Sequence, residues 1–127
     1  MLRSSLVPTL RKEGHEVYPT DINVSNREIE FLDVRDIDKV FEFVNHLKPD
    51  LVMHLAVETD VDKCELEIKH AFMTNTIGTQ NVALACQKDN IIMVYISSAG
   101  VFDGKKEEPY IEFDEPKQRF VFQWYWS

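Results

Sequence analysis

Two apolar runs constrain this chain more than anything else in it. Leu51 to Val57 (LVMHLAV) and Ile91 to Ser97 (IIMVYIS) are almost unbroken by polar side chains. A strand with one face in water alternates apolar with polar residues. A continuous run instead belongs to a strand buried on both faces, as in a parallel sheet between helices. Between the runs, residues 63–88 read as a long helical region whose inner face carries Ala71, Asn75, Gly78, Val82, Ala85 and Cys86. Small side chains there let a helix lie close on a sheet. A strand, a helix and a second strand form a crossover unit, and its right-handedness leaves few topologies. The expected fold class is α/β, a parallel sheet with helices on both faces.

The first half of the chain repeats this rhythm less cleanly. Leu2, Leu6, Val7 and Leu10 suit an amphipathic helix over 2–13 that Gly14 stops, with Pro8 an awkward member. His15 to Thr20 predicts a short strand ending at Asp21, and Ile29 to Val34 a second. Asp36 can cap a helix in which Ile37, Val40, Phe41, Val44 and Leu47 form one apolar stripe, broken at Lys48-Pro49-Asp50. Residues 98–116 hold Gly100, Gly104, Pro109 and Pro116 among charges and read as a loop. The last residues change character. Phe120, Phe122, Trp124 and Trp126 alternate with Val121, Gln123, Tyr125 and Ser127, a period of two that suits a strand.

Composition narrows the function classes. The 127 residues have room for one modest domain. With 22 acidic against 14 basic residues the net charge is −8, so no nucleic-acid partner is expected, because phosphate binding shows a basic face. Cys64 and Cys86 form no CxxC pair and read as buried small hydrophobes in a reducing, cytoplasmic setting. No apolar run approaches the roughly 18 residues of a membrane span, so no membrane partner is expected. His54, mid-strand, reads as a satisfied core histidine. His15, His46 and His70 do not cluster with acids at ligand spacing, so no metal site is expected.

In an open parallel sheet, ligands sit beyond the carboxyl ends of the strands. Asp21, Asp33-Val34, the stretch from Ala56 to Thr59, and Ser97-Ser98 fall there. A carboxylate at Asp21 suits a ribose diol and repels a 2′-phosphate, which favours NAD over NADP; a solvated acid opening a turn is the plainer alternative. Asp33 suits an adenine amino group, with Val34 against the ring, or is a loop acid near the Asp36 cap. Hydroxyls at Ser97 and Ser98 suit a carbonyl or alcohol oxygen during hydride transfer, although turn-forming serines are commoner. Asn75, on a buried helix face, must find hydrogen-bond partners, which favours a structural role.

Five segments in order resemble the extended short-chain dehydrogenase/reductase family. They are LDVRD (32–36), KPDLVMHLAVET (48–59), NTIGTQNVALAC (75–86), YISSAGVFDG (95–104) and EPYIEFDEP (108–116), and the last two are similar to its sugar-nucleotide branch. The resemblance implies a Rossmann-like domain over 1–116, with 117–127 a divergent aromatic tail. It implies a parent that reduces a 4-keto-deoxysugar nucleotide with NAD(H) or NADP(H). Ser98 would be the catalytic hydroxyl, and Ser98 and Ala99 would lie near the sugar nucleotide. Asp33 and Val34 would meet the adenine. Ala56, Val57 and Thr59 would run along the cofactor, with Val57 where the family usually has Ala. Asn75 would be the helix amide.

The departures from that pattern are expectations too. The family opens with a strand and a Gly-x-x-Gly-x-x-Gly turn for the pyrophosphate. Here Arg3 stands near the place of its last glycine, and the strand is missing. Its loss leaves a gap in the sheet or forces LVMHLAV to pair with HEVYPT. The family's Tyr-x-x-x-Lys is missing as well: Tyr125 has no lysine after it, and Lys117 is no substitute by spacing. The chain therefore reads as a truncated fragment, weakly active or inactive, with weakened cofactor binding. The alternatives are a fragment of a sugar-nucleotide epimerase or dehydratase, and a non-catalytic regulatory module. In the latter the aromatic tail docks on a protein partner or a second copy.

Overall fold

The apolar stripe at 37–47 folds as its spacing requires. In the computed structural model, which describes residues 2–96 and 102–115, helix α2 spans Ile37–Leu47 and buries Val40 and Val44. The Asp36 carboxylate accepts from the Lys39 N–H at 3.2 Å, satisfying a donor that a helix leaves open at its start. At the far end Lys48 takes a left-handed conformation, φ 48°, and its N–H reaches the Val44 carbonyl at 2.8 Å. That conformation costs an L-residue about 1–2 kcal/mol. Lys48→Gly is therefore expected to stabilise the fold by about 0.5–1 kcal/mol, read as a rise in the urea midpoint at unchanged slope.

Helix α1, Leu2–Lys12, contains Pro8 and ends at Gly14, φ 89°. The N–H groups of Gly14 and His15 return to Arg11 and Leu10 at 3.1 and 3.0 Å, the doubly bonded stop that a left-handed glycine allows. Strands β1 (Thr20–Asp21) and β2 (Glu30–Phe31) pair in parallel, Thr20 opposite Glu30. Both are shorter than the sequence predicts. The Val17 carbonyl is taken by the Arg11 guanidinium at 3.3 Å, and Pro19 has no N–H to donate. Asp33 then turns the chain after β2, its carboxylate accepting from the Arg35 N–H at 3.0 Å.

Strands β3 (Leu51–His54) and β4 (Ile92–Tyr95) form a second parallel pair, in register from Leu51–Ile92 to His54–Tyr95. Among the described residues the two pairs are separate sheets, and β3 does not pair with β1. Of the two outcomes open from the sequence, the described residues show the gap. The long helical region is broken into α3 (Val61–Leu66), α4 (Ile68–Phe72), a π-helical turn (Met73–Ile77) and α5 (Gly78–Lys88). Its expected inner face holds: Ala71, Asn75, Gly78, Val82, Ala85 and Cys86 are all buried.

The core joins Val40 and Val44 of α2 to Val82, Ala85 and Cys86 of α5, with Val52 and Met93 packed beneath. Strand side chains alternate faces, so Leu51 and Ile92 point the other way, and they are 44% and 64% exposed. The expectation that these strands are buried on both faces is thus corrected: α2 and α5 cover the face of Val52 and Met93. Cys64 and Cys86 are free, buried thiols, and burial pushes both to higher pKa. No helix among the described residues is long and apolar enough to cross a membrane.

Candidate functional site

The segment NTIGTQN builds the site by fastening one helix to two strand ends, those of β2 and β3. Asn75 is 4% exposed. Its Oδ1 accepts from the Glu58 N–H at 2.8 Å, and its Nδ2 donates to the Glu58 carbonyl at 3.2 Å. One side-chain amide therefore holds the turn after β3, as the sequence's structural reading of Asn75 expects. The π turn sets this aim, since an i+5 turn adds a residue and redirects the side chains that follow.

Gly78 comes next. A Cβ built on it would lie 2.6 Å from Val34 Cγ2, so only glycine lets Val34 approach. Thr79 donates to the Asn75 carbonyl at 2.7 Å. Its hydroxyl hydrogen is then used, so His54 Nε2, 3.0 Å away, donates to Thr79 Oγ1. His54 is 5% exposed and stacked on Tyr95, and desolvation lowers its pKa, so it is neutral. The reading of His54 as a core histidine stands. Asn81 completes the set: it is buried and donates to the Val34 carbonyl at 2.9 Å.

At the strand ends lie most of the expected residues. Asp21 closes β1, and its Oδ1 accepts from the Asn23 N–H at 2.8 Å, so it does open a turn. Asp33 follows β2 and holds Arg35: Nε and one terminal nitrogen of the guanidinium reach its oxygens at 2.8 and 2.6 Å. These charge-assisted bonds keep the Asp33 carboxyl below its ordinary pKa. Asp33 thus commits both oxygens to Arg35, and an adenine amino group would share them. Val34 sits between Gly78 and Asn81. Ala56, Val57 and Thr59 are exposed in the turn after β3. The expected Ser97, Ser98 and Ala99 lie outside the described residues, as does the tail at 117–127.

Sequence reasoning missed a charge cluster in the same place. Glu58 Oε2 lies 2.6 Å from Lys63 Nζ and 3.4 Å from His70 Nε2. Lys63 is the main cause of a lowered Glu58 pKa, with His70 contributing less. His70 Nδ1 is 3.3 Å from the Arg35 guanidinium. Asp33, Arg35, His70, Glu58 and Lys63 therefore connect the loop after β2 to the turn after β3 through α4. An open cavity of about 770 Å³ lies beside them, lined by Arg35, Leu66, Ile68, His70 and Met73. Only side-chain reach across elements reveals this cluster; no spacing in the sequence announces it.

The chemistry of these groups fits a dinucleotide. Carboxylates stand at two strand ends, an apolar side chain lies beside one of them, and the exposed residues Ala56, Val57 and Thr59 stand at the third.

The model of the RmlD substrate binding domain family matches residues 1–121. A probable low-salt glycan biosynthesis reductase, Agl14, of Haloferax volcanii is 33% identical over 119 residues, 91% of this chain and 40% of that protein. The dTDP-4-dehydrorhamnose reductase of Aggregatibacter actinomycetemcomitans is 36% identical over 83 residues, 65% of this chain and 28% of that protein. A crystal structure of dTDP-4-dehydrorhamnose reductase from Bacillus anthracis, in complex with NADP, superposes with a TM-score of 0.81. The identity is 35%, over 92% of this chain and 40% of that one. The chain thus spans two fifths or less of the length of these relatives.

Proposed function

The chain belongs to the RmlD substrate binding domain family, and on that premise we propose that it is the cofactor-side portion of a sugar-nucleotide reductase of the dTDP-4-dehydrorhamnose reductase kind. The observation that carries the reading is the fastening of the turn after β3 and the loop after β2 to one helix segment, by Asn75, Gly78 and Asn81. A dinucleotide needs several strand ends held in fixed relation, and these contacts supply that.

In this reading Asp21 takes the ribose hydroxyls and Asp33 and Val34 the adenine. Ala56, Val57 and Thr59 line the path toward the nicotinamide, and Asn75 acts through the Glu58 backbone. By resemblance, Ser97 neighbours the cofactor and Ser98 and Ala99 the nucleotide sugar, with Ser98 orienting the reacting oxygen. The bound nicotinamide supplies a hydride. No Gly-x-x-Gly-x-x-Gly stands among the 127 residues, and no Tyr-x-x-x-Lys. Without the first, the pyrophosphate loses its cradle of backbone N–H groups. Without the second, proton transfer loses a factor of about 10²–10⁴. The chain by itself binds cofactor weakly and turns over little.

Calorimetric titration tests this. NADH is expected to bind with a Kd of about 0.1–1 mM, near 4–5 kcal/mol. NADPH is expected to bind more weakly, because Asp21 repels a 2′-phosphate; Asp21→Asn narrows the difference. No heat with either nucleotide at millimolar concentration contradicts the reading. Fast turnover of dTDP-4-dehydrorhamnose contradicts the claim of low activity.

A further inference from the structure

We propose that His70 is a positioning residue that ties the loop after β2 to the turn after β3, and that it does so only as one neutral tautomer. The inference rests on the dinucleotide reading for its purpose but not for its geometry. His70 projects from α4, its side chain 26% exposed. Its Nδ1 lies 3.3 Å from the Arg35 guanidinium and its Nε2 3.4 Å from Glu58 Oε2. A guanidinium only donates and a carboxylate only accepts. Nδ1 must therefore present its lone pair to Arg35, and Nε2 must carry the proton toward Glu58.

The groups around the ring set which nitrogen carries the proton. Arg35 faces it from the loop after β2, and Glu58 from the turn after β3. Behind them stand Asp33, paired with Arg35 at 2.6 Å, and Lys63 of α3, paired with Glu58 at 2.6 Å. Lys69 and Glu67 precede it in sequence and line the same cavity. Around a neutral His70 the pairs Asp33–Arg35 and Glu58–Lys63 balance. A proton at Nδ1 sets N–H against N–H and leaves one cation in excess, while Glu58, already shared with Lys63, gains little. Arg35 and Lys63 are held more firmly protonated, and Asp33 and Glu58 more firmly ionised, than their free side chains.

The consequence is a mechanical link between the two strand ends that meet opposite parts of the dinucleotide. Arg35 aligns Asp33 on one side. On the other, Glu58 belongs to the turn of Ala56, Val57 and Thr59, and its backbone is gripped by Asn75. Loss of the Nδ1 acceptor releases the Arg35 side and leaves Asp33 without its brace against α4.

The test uses the whole chain, with His70→Gln and His70→Ala. Glutamine offers an N–H to Glu58 and a carbonyl to Arg35 but takes no proton. Long-range ¹H–¹⁵N spectra at pH 8, without cofactor, are expected to show the Nε2–H tautomer; the Nδ1–H tautomer or the imidazolium overturns the proposal. At pH 8 the amide signals of Asp33, Arg35 and Glu58 are expected to move together in His70→Ala and to stay near their wild-type positions in His70→Gln. Equal movement in both also overturns it.

NADH titrations add the functional readout. His70→Ala is expected to lower the affinity on the order of 3–10-fold, a coupling of ordinary size. His70→Gln, which keeps both hydrogen-bond partners, is expected to recover most of that loss. If no variant binds NADH, the dinucleotide reading fails, and the spectra still decide the role of His70.

Discussion

Asn75→Ala is expected to destabilise the fold by about 2–6 kcal/mol, from two backbone groups losing their partner at about 1–3 kcal/mol each. The groups are the N–H and carbonyl of Glu58, which Asn75 holds at 2.8 and 3.2 Å. Alanine fits the space but makes neither bond. Asn75 is 4% exposed, so water has little access from its side. Asn75→Asp keeps the acceptor and loses the donor, setting a carboxylate oxygen against the Glu58 carbonyl, and is expected to cost more than half as much. Urea unfolding of the three proteins measures this. A loss below about 0.5 kcal/mol for Asn75→Ala would mean that solvent replaces the clamp, since such a value is typical of a surface change.

Gly78→Ala is expected to cost about 1–3 kcal/mol through overpacking, less up to about 1 kcal/mol that alanine returns as a better helix former. The added methyl would meet Val34 Cγ2 at 2.6 Å and Val34 Cβ at 3.3 Å. Val34 has little freedom to move aside. Its branched side chain has one or two comfortable rotamers, and Asn81 holds its carbonyl at 2.9 Å. Val34→Ala removes the obstructing methyl groups, so the double variant is expected to be more stable than the two losses added together. Thermal unfolding of the four proteins gives the coupling, expected at about 1 kcal/mol or more between residues in contact. Additive losses would show that Val34 already moves freely.

What could be read from the sequence was periodic. Val40 and Val44 recur at helical spacing, and Asp36 offers a cap, so α2 was legible almost to the residue. The inner face from Ala71 to Cys86 was legible for the same reason. Strand lengths were not. The Arg11 side chain reaches back to the Val17 carbonyl, and Asp33 turns onto its own neighbour Arg35, and neither act leaves a mark on hydrophobic pattern. The π turn was also hidden, because Met73–Ile77 contains nothing that favours an i+5 bond. It is visible only beside the contacts that Asn75 and Thr79 make in other elements.

The site divides along the same line. The rule about strand ends located Asp21, Asp33, Val34, Ala56, Val57 and Thr59. It could not supply Arg35 and His70, nor the ion pairs of Glu58, which exist only where three elements meet. Gly78, Thr79 and Asn81 stood in a recognised segment, yet their separate contacts with Val34 and His54 needed the packed structure.

The π turn leaves an arithmetic trace. An α-helix advances about 100° per residue, so the five residues Met73–Ile77 hold one more than an unbroken α-helix would use. Excising Thr74 or Thr76 would restore continuous helix and shift the phase of everything before it by that angle relative to α5. Ala71 would swing out of the interior and His70 away from Arg35, while Val82 and Ala85 kept their places. Substitutions in this stretch change single contacts, but a change in its length rewires the whole face.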